Sequence, residues 1–259
     1  MYRYLVLGLL QGLTEFLPVS SSGHLVLAQR LLGLDPPGVV LEAVLHLGTL
    51  AAVVIYFWRD LVGLLRRGAS PAGVGERRYI ALLILGTVPI VVAGYLAGGA
   101  VEQAFSSPAL VGGMLLVTAA LLGGASLLAG RARRDRVGLG DALAVGLAQV
   151  AALLPGISRS GATISVGMAC GLSPREAARF SFLLSIPAVA GAGVLGLVTE
   201  SPLPPSEAWG LLLGGLSAMA SGLIAIHTLL KLLLAGKLRI FAFYCLIAGS
   251  VTLGVGLLS

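Results

Sequence analysis

Charge is the first scarcity. Of 259 residues only 11% are Asp, Glu, Lys or Arg, while 57% are hydrophobic; a soluble domain carries about 25% charged residues. That excludes a large water-soluble core and indicates a polytopic membrane protein. Cysteine is equally scarce. The two present, Cys170 and Cys245, sit in apolar runs and offer neither a disulfide framework nor metal-ligand spacing. No glycine–lysine phosphate loop, zinc motif or Gly-x-Ser-x-Gly elbow occurs, which closes the usual sequence routes to nucleotide, zinc and serine-hydrolase chemistry. The first apolar run is interrupted by Gln11 and Glu15 with no small-residue cleavage site after it, so it does not read as a signal peptide. The net charge of +6 reports loop orientation in such a protein and does not indicate nucleic-acid binding.

What is abundant is glycine, 37 residues, which lets membrane helices approach closely. A full span needs about 20 apolar residues. Six runs qualify: Val39–Trp58, Tyr79–Ala97, Ala109–Ala129, Phe180–Val198, Ala208–Leu230 and Ile240–Leu258. Four others are too short to cross. Tyr4–Leu17 is cut by Pro18, and Gly23–Leu34 ends at Asp35-Pro36-Pro37-Gly38; Asp141–Leu154 is cut by Pro155-Gly156, and Gly161–Leu172 ends at Ser173-Pro174. A 14-residue helix reaches about 21 Å against a hydrocarbon core of ~30 Å. Each short pair therefore reads as a re-entrant helical hairpin, whose non-helical tip survives only if protein or a water-filled cavity surrounds it. Ser173-Pro174-Arg175-Glu176 reads as a capping box opening the fourth full span.

Charge placement supports this topology. Arg59, Arg66, Arg67, Arg77 and Arg78, then Arg131, Arg133, Arg134 and Arg136, then Arg175 and Arg179, then Lys231, Lys237 and Arg239 all fall on one side. The opposite loops, Gly98–Pro108 and Thr199–Glu207, hold Glu102, Glu200 and Glu207 and no base; Arg3 and Arg30 are the exceptions that land outside. This is a positive-inside pattern with both termini outside. The chain also repeats itself. Shifted by 138, Gly8, Leu9, Gln11, Ser20, Ser22, Gly23, Gly33 and Leu34 fall on Gly146, Leu147, Gln149, Ser158, Ser160, Gly161, Gly171 and Leu172. The expected architecture is all-α, with two repeats (1–136 and 137–259) in one membrane domain. Each repeat is a re-entrant hairpin plus three transmembrane helices. Three being odd, the halves are inverted, which places the broken helices and their site near the bilayer midplane.

The polar residues concentrate at the two hairpin tips, Gln11-Gly-Leu-Thr-Glu-Phe-Leu-Pro-Val-Ser-Ser-Ser-Gly-His24 and Pro155-Gly-Ile-Ser-Arg-Ser-Gly-Ala-Thr163. Gln11 and Glu15 share a helix face. A carboxylate within an apolar segment is costly and marks a functional position. With the amide oxygen beside it, it suits an oxygen-seeking cation such as Mg²⁺ or Ca²⁺, or a general base. Ser20, Ser21 and Ser22, and in the other half Ser158 and Ser160, sit at helix starts, where hydroxyls and free N–H groups form an anion seat. Arg159 adds a planar fork that matches phosphate oxygens. His24, beside the serines, can move a proton or attack phosphorus itself. His46 and His227 read as ordinary satisfied histidines. A membrane carrier of prenyl phosphates or another anion shares the inverted architecture, but does not need His24 and Glu15 beside the seat. A structural scaffold would need none of these polar groups.

These two motifs closely resemble the signature motifs of the bacterial undecaprenyl-diphosphatase (bacitracin-resistance) family. The resemblance extends through Glu42-Ala-Val-Leu-His-Leu-Gly-Thr49 and Phe180-Ser-Phe-Leu-Leu-Ser-Ile-Pro187 to essentially the whole chain. It implies hydrolysis of undecaprenyl diphosphate to undecaprenyl phosphate and inorganic phosphate, which recycles the lipid carrier of cell-wall synthesis and confers bacitracin resistance. It also implies a divalent cation, assembly as a homodimer, and a multi-pass protein of the bacterial inner membrane whose site opens to the periplasmic side. Carried over by residue, the family's acidic pair falls on Gln11 and Glu15, its essential histidine on His24, its proposed nucleophilic serine on Ser21 and its phosphate-binding arginine on Arg159. Thr163 ends the second motif. The first acidic position is Glu in many members, so Gln11 here becomes a ligand or positioner. Whether Ser21, His24 or water attacks phosphorus stays open.

Overall fold

The computed structural model describes residues 1–33, 39–104, 107–128, 134–199 and 207–258. Among them the structure is helical: α1 (Tyr2–Phe16), α2 (Ser21–Leu31), α3 (Val39–Tyr56), α4 (Trp58–Gly68), α5 (Val74–Ala104), α6 (Pro108–Leu127), α7 (Leu139–Ala151), α8 (Arg159–Ala169), α9 (Pro174–Thr199), α10 (Ala208–Leu234) and α11 (Arg239–Leu258). Helices α5, α6, α9, α10 and α11 are each long and apolar enough to cross a membrane. A sixth candidate is α3 taken with α4, bent by 67°. The protein is therefore a multi-pass membrane protein. The four short runs become α1, α2, α7 and α8, of 15, 11, 13 and 11 residues. The turn Asp35-Pro36-Pro37-Gly38 and the bases Arg131 and Arg133 lie outside the described residues.

One element departs from the expected loop between the first two spans. Trp58–Gly68 is helical, with Asp60 in its first turn and Arg66 and Arg67 in its last. Leu61 and Leu64 pack inward while Arg59, Arg66 and Arg67 are turned outward. A charged amphipathic segment fails a test for continuous apolarity yet is stable lying in a membrane interface. At the start of α9, Ser173 does cap the helix: its Oγ accepts from the Glu176 backbone N–H at 3.2 Å. The base of the second hairpin is tied by Arg134, whose guanidinium grips Asp141 at 3.0 and 3.1 Å while its backbone pairs with Gly171 and Ser173 at 2.9 Å.

Packing follows the sequence repeat. Helix α1 lies against α10 as α7 lies against α5, and α3 meets α10 as α9 meets α5. At the α1–α10 and α7–α5 contacts stands one glycine of the repeat each, Gly8 in the first half and Gly146 in the second. A Cβ on Gly8 would sit 2.2 Å from the Gly214 carbonyl oxygen, and one on Gly146 would sit 2.6 Å from that of Gly86. Both obstacles are backbone, so no side-chain rotation relieves them. Lipid-facing positions are large and apolar, as in the α5 series Ile84, Val88, Val91, Val92 and Tyr95. Inside, Phe182 gathers Phe16 and Phe57 at ring-centroid distances of 5.8 and 5.7 Å.

These contacts yield a contrast between two kinds of glycine. Gly8→Val should lower the thermal midpoint of detergent-solubilised protein, consistent with overpacking of at least about 1–3 kcal/mol. Gly94→Ala, where a Cβ meets nothing within 4 Å, should leave it unchanged or raise it.

Candidate active site

The two hairpin tips meet. Pro18 in the first lies against the start of α8 in the second, so that a Cβ on Gly161 would be 3.2 Å from the Pro18 side chain. Each tip is pinned by a helix of the other half. Thr118 on α6 donates to the Gly156 carbonyl at 2.9 Å and accepts from the Ser158 N–H at 3.0 Å. Cys245 on α11 approaches the Pro18 carbonyl at 3.4 Å. Gly156 is required twice over at its tip: its φ is +99°, and a Cβ would lie 2.4 Å from the Val111 carbonyl. In the first tip Ser20 adopts φ +69°, a left-handed backbone that costs a serine of order 1–3 kcal/mol.

The pinned tips bring Arg159 and Glu15 into a buried ion pair across the two halves, Nη2 on Oε1. Their side chains are 15% and 7% exposed. The second carboxylate oxygen accepts from the Ser21 hydroxyl at 2.6 Å and from the Gln11 amide at 3.1 Å. Gln11 is fully buried, and its own Oε1 has no partner. Around this cluster lies a cavity of about 200 Å³ lined by Glu15, Ser20, Ser21, Ser22, Ser158, Arg159, His46 and Gln149, with Ile90, Ala188, Val189 and Ala192 as its apolar wall. The Ser158 hydroxyl accepts from the Gly161 N–H at 3.1 Å, as expected at a helix start, and lies 3.2 Å from the Ser160 hydroxyl.

Four residues sit differently from their expected places, and one of them, Gln11, reaches Glu15 while lying outside the cavity lining. His24 is not among the residues lining the cavity. Its Nδ1 meets the Ser20 carbonyl at 2.8 Å, its Nε2 is bonded to the Tyr244 hydroxyl, and the two rings stack. The carbonyl only accepts, so Nδ1 carries the proton; the imidazole holds the strained Ser20 turn. Thr163 lies behind the arginine, donating to the Arg159 carbonyl at 2.7 Å with its hydroxyl 2.6 Å from that of Ser181. It supports the tip from outside the cavity. Ser160 is likewise buried and outside the lining. The imidazole that reaches the carboxylate is His46, Nε2 at 3.8 Å from Glu15, its Nδ1 held by the Glu42 carbonyl at 2.8 Å. Nothing local distinguishes His46 in the sequence, whereas Thr118 could have been noticed as one of two hydroxyls, with Ser126, in an apolar run.

A carboxylate-bonded serine, an arginine fork and two helix starts around one small cavity make an arrangement able to hold an anionic, phosphate-like group against a hydroxyl. The sequence matches the family described as Bacitracin resistance protein BacA over residues 4–251. The chain belongs to this family. It is 39% identical over 263 residues to an undecaprenyl-diphosphatase of Desulforudis audaxviator, covering 99% of this chain and 98% of the relative. An undecaprenyl-diphosphatase of Korarchaeum cryptofilum is 43% identical over 260 residues, 97% of each chain. One of Methanosphaera stadtmanae is 40% identical over 265 residues, 96% of this chain and 95% of the relative. Glu15 is the sole carboxylate lining the cavity among the described residues.

The ion pair has a measurable signature. Arg159→Ala strands the Glu15 charge in a buried site and should destabilise the fold by about 3–5 kcal/mol. Adding Glu15→Gln should recover most of that loss in thermal or denaturant unfolding, without restoring activity.

Proposed function

We propose that the chain is an undecaprenyl-diphosphatase, a phosphoric-anhydride hydrolase that converts undecaprenyl diphosphate to undecaprenyl phosphate and inorganic phosphate. The observation that carries the mechanism is the meeting of Ser21, Glu15 and Arg159 at one cavity. The diphosphate head enters between the tips, and its oxyanions draw the Arg159 fork away from Glu15. The carboxylate, released from its partner, accepts the proton of the Ser21 hydroxyl already bonded to it. The Ser21 Oγ–phosphorus bond forms as the bond from terminal phosphorus to the bridging oxygen breaks, and undecaprenyl phosphate departs with that oxygen. The departing phosphate takes up that proton from Glu15, and the freed carboxylate deprotonates a water that attacks the phosphoserine; the Ser21 Oγ–phosphorus bond breaks, Ser21 regains a proton from Glu15, and inorganic phosphate leaves. Arg159, the N–H groups at the starts of α2 and α8, and the Ser20, Ser22 and Ser158 hydroxyls offset the charge developing on the equatorial oxygens. His24 acts through the Ser20–Ser22 turn that it holds.

The prenyl tail has its own solvent nearby. Leu83, Val88, Val91, Leu183, Ile186 and Pro187 line an apolar groove of about 480 Å³ along α5 and α9. Ile90 and Ala188, their neighbours on the same helices, form part of the cavity wall. A divalent cation, Mg²⁺ or Ca²⁺, finds hard oxygens in the Glu15 carboxylate at the cavity and in the unpartnered Oε1 of Gln11, whose amide Nε2 bonds Glu15 from outside the lining. Among the described residues no group of three or more His, Cys, Asp and Glu is placed to hold a metal. An ion here would therefore complete its shell with substrate oxygens, as Mg²⁺ commonly does. Bound there, it would neutralise phosphate charge. The basic loops orient the chain with their own side toward the cytoplasm, and family membership supports an inner-membrane location with the site open to the periplasm. The matched glycine contacts and paired helix packings support reading the two halves as inverted repeats, and a homodimer accords with the family.

A carrier of prenyl phosphates is the competing reading. A second polar pocket favours it, lined by Asp60, Asp135, Arg175, Glu176, Arg179, His227 and Lys231. Phe57 belongs to that pocket, and its contact through Phe182 to Phe16, next to Glu15, bridges toward the site. Detergent-solubilised protein separates the two readings. An enzyme releases inorganic phosphate from undecaprenyl diphosphate without any compartment, whereas a carrier releases none.

Ser21→Ala should reduce that release by at least roughly 100-fold, as loss of a covalent nucleophile does. Full activity would reassign the attack to water. Chelator treatment should suppress turnover and Mg²⁺ or Ca²⁺ restore it; activity indifferent to chelator would remove the cation.

A further inference from the structure

Gln149 is the second-half counterpart of Gln11 under the 138-residue shift. It lies near the end of α7, is 0% exposed, and lines the same cavity as Glu15, Ser21 and Arg159. Its repeat partner donates its amide to Glu15. Gln149 has no such contact: both Oε1 and Nε2 are buried without a hydrogen-bond partner. A buried amide with both ends unmet destabilises the resting protein relative to an apolar side chain of the same size. Such a group is retained where a ligand completes it. The neighbours indicate which ligand. Arg159 and the two helix starts make the cavity electropositive, and the oxygens of an ionised diphosphate accept hydrogen bonds and cannot donate them.

We infer that Gln149 is a substrate-binding residue whose Nε2 donates to a non-bridging oxygen of the diphosphate head in the cavity that it lines together with Glu15. The inference rests on the phosphatase reading and deepens it. The two glutamines then have complementary roles. Gln11 orients the carboxylate that takes the serine proton, and Gln149 orients the phosphoryl group that the serine attacks. A hydrogen bond from a neutral amide to a charged oxygen in a dry site corresponds to roughly 10- to 100-fold in kcat/KM.

Gln149→Leu, of similar volume and without polar atoms, separates binding from scaffolding. Phosphate release from undecaprenyl diphosphate would be measured in detergent, with the thermal midpoint recorded with and without inorganic diphosphate as a head-group probe. The expected result is an unchanged or raised midpoint for the free variant, kcat/KM lower by roughly 10- to 100-fold, and a reduced stabilising shift on adding inorganic diphosphate. A midpoint that falls, with activity lost only in step with the folded fraction, would make Gln149 a structural residue and overturn the inference. So would wild-type kcat/KM with an undiminished diphosphate shift. Wild-type protein that releases no phosphate would sink the phosphatase reading itself, whereas an active wild type beside an unaffected variant would sink this inference alone.

Discussion

The constraint on which the structure depends is the buried ion pair between Glu15 and Arg159, residues 144 apart in the chain. Removing two charges from water costs several kcal/mol per ion, and their attraction offsets this only if further hydrogen bonds complete the pair. Here Ser21 and Gln11 supply those bonds to the carboxylate. Neither hairpin could keep its charge alone at the end of a half-length helix. Each is the counter-ion of the other, and their contact closes the polar tips against lipid.

Much of the remaining architecture serves that contact. Gly8 and Gly146 let α1 and α7 lie backbone-to-backbone on α10 and α5, so the short helices are carried by long ones. Thr118 and Cys245 reach across from α6 and α11 to fix the tip backbones. His24 and Tyr244 hold the Ser20 turn, whose left-handed φ aims the hydroxyl cluster. Strain at Ser20 and the unmet amide of Gln149 both lower stability, and both sit at the cavity. A site shaped for a charged ligand is left incomplete in the ligand's absence.

The contrast with the rest of the protein is chemical. Away from the tips the helices expose large apolar side chains to lipid and meet one another through small residues. The apolar groove on α5 and α9 adjoins the polar cavity through neighbouring residues of the same helices. A substrate with an ionised head and a hydrocarbon tail thereby finds both of its preferred environments within one seam. The charged pocket around Arg179, which pairs with Asp60 at 2.8 Å and lies 5.0 Å from the Tyr79 ring centroid, belongs to a different set of side chains.

What the sequence determined by itself is whatever depends on local composition and length. Full spans, half-length hairpins, the Ser173 cap and the internal repeat follow from hydropathy, proline positions and spacing, because lipid forces every segment to satisfy its own backbone. The motif residues Glu15, Ser21 and Arg159 were legible for the same reason: charge and hydroxyls are conspicuous in an apolar chain. The amphipathic α4 was not, since it is held by packing Leu61 and Leu64 on the core and not by a continuous apolar run. Only the tertiary structure decided which side chains face the cavity. It turned His24 to Tyr244 and set Thr163 behind the arginine, while bringing His46 and Gln149 to the carboxylate and the cavity wall. Those outcomes depend on helix rotation and on partners more than a hundred residues away, such as Tyr244 for His24, and no local pattern encodes either.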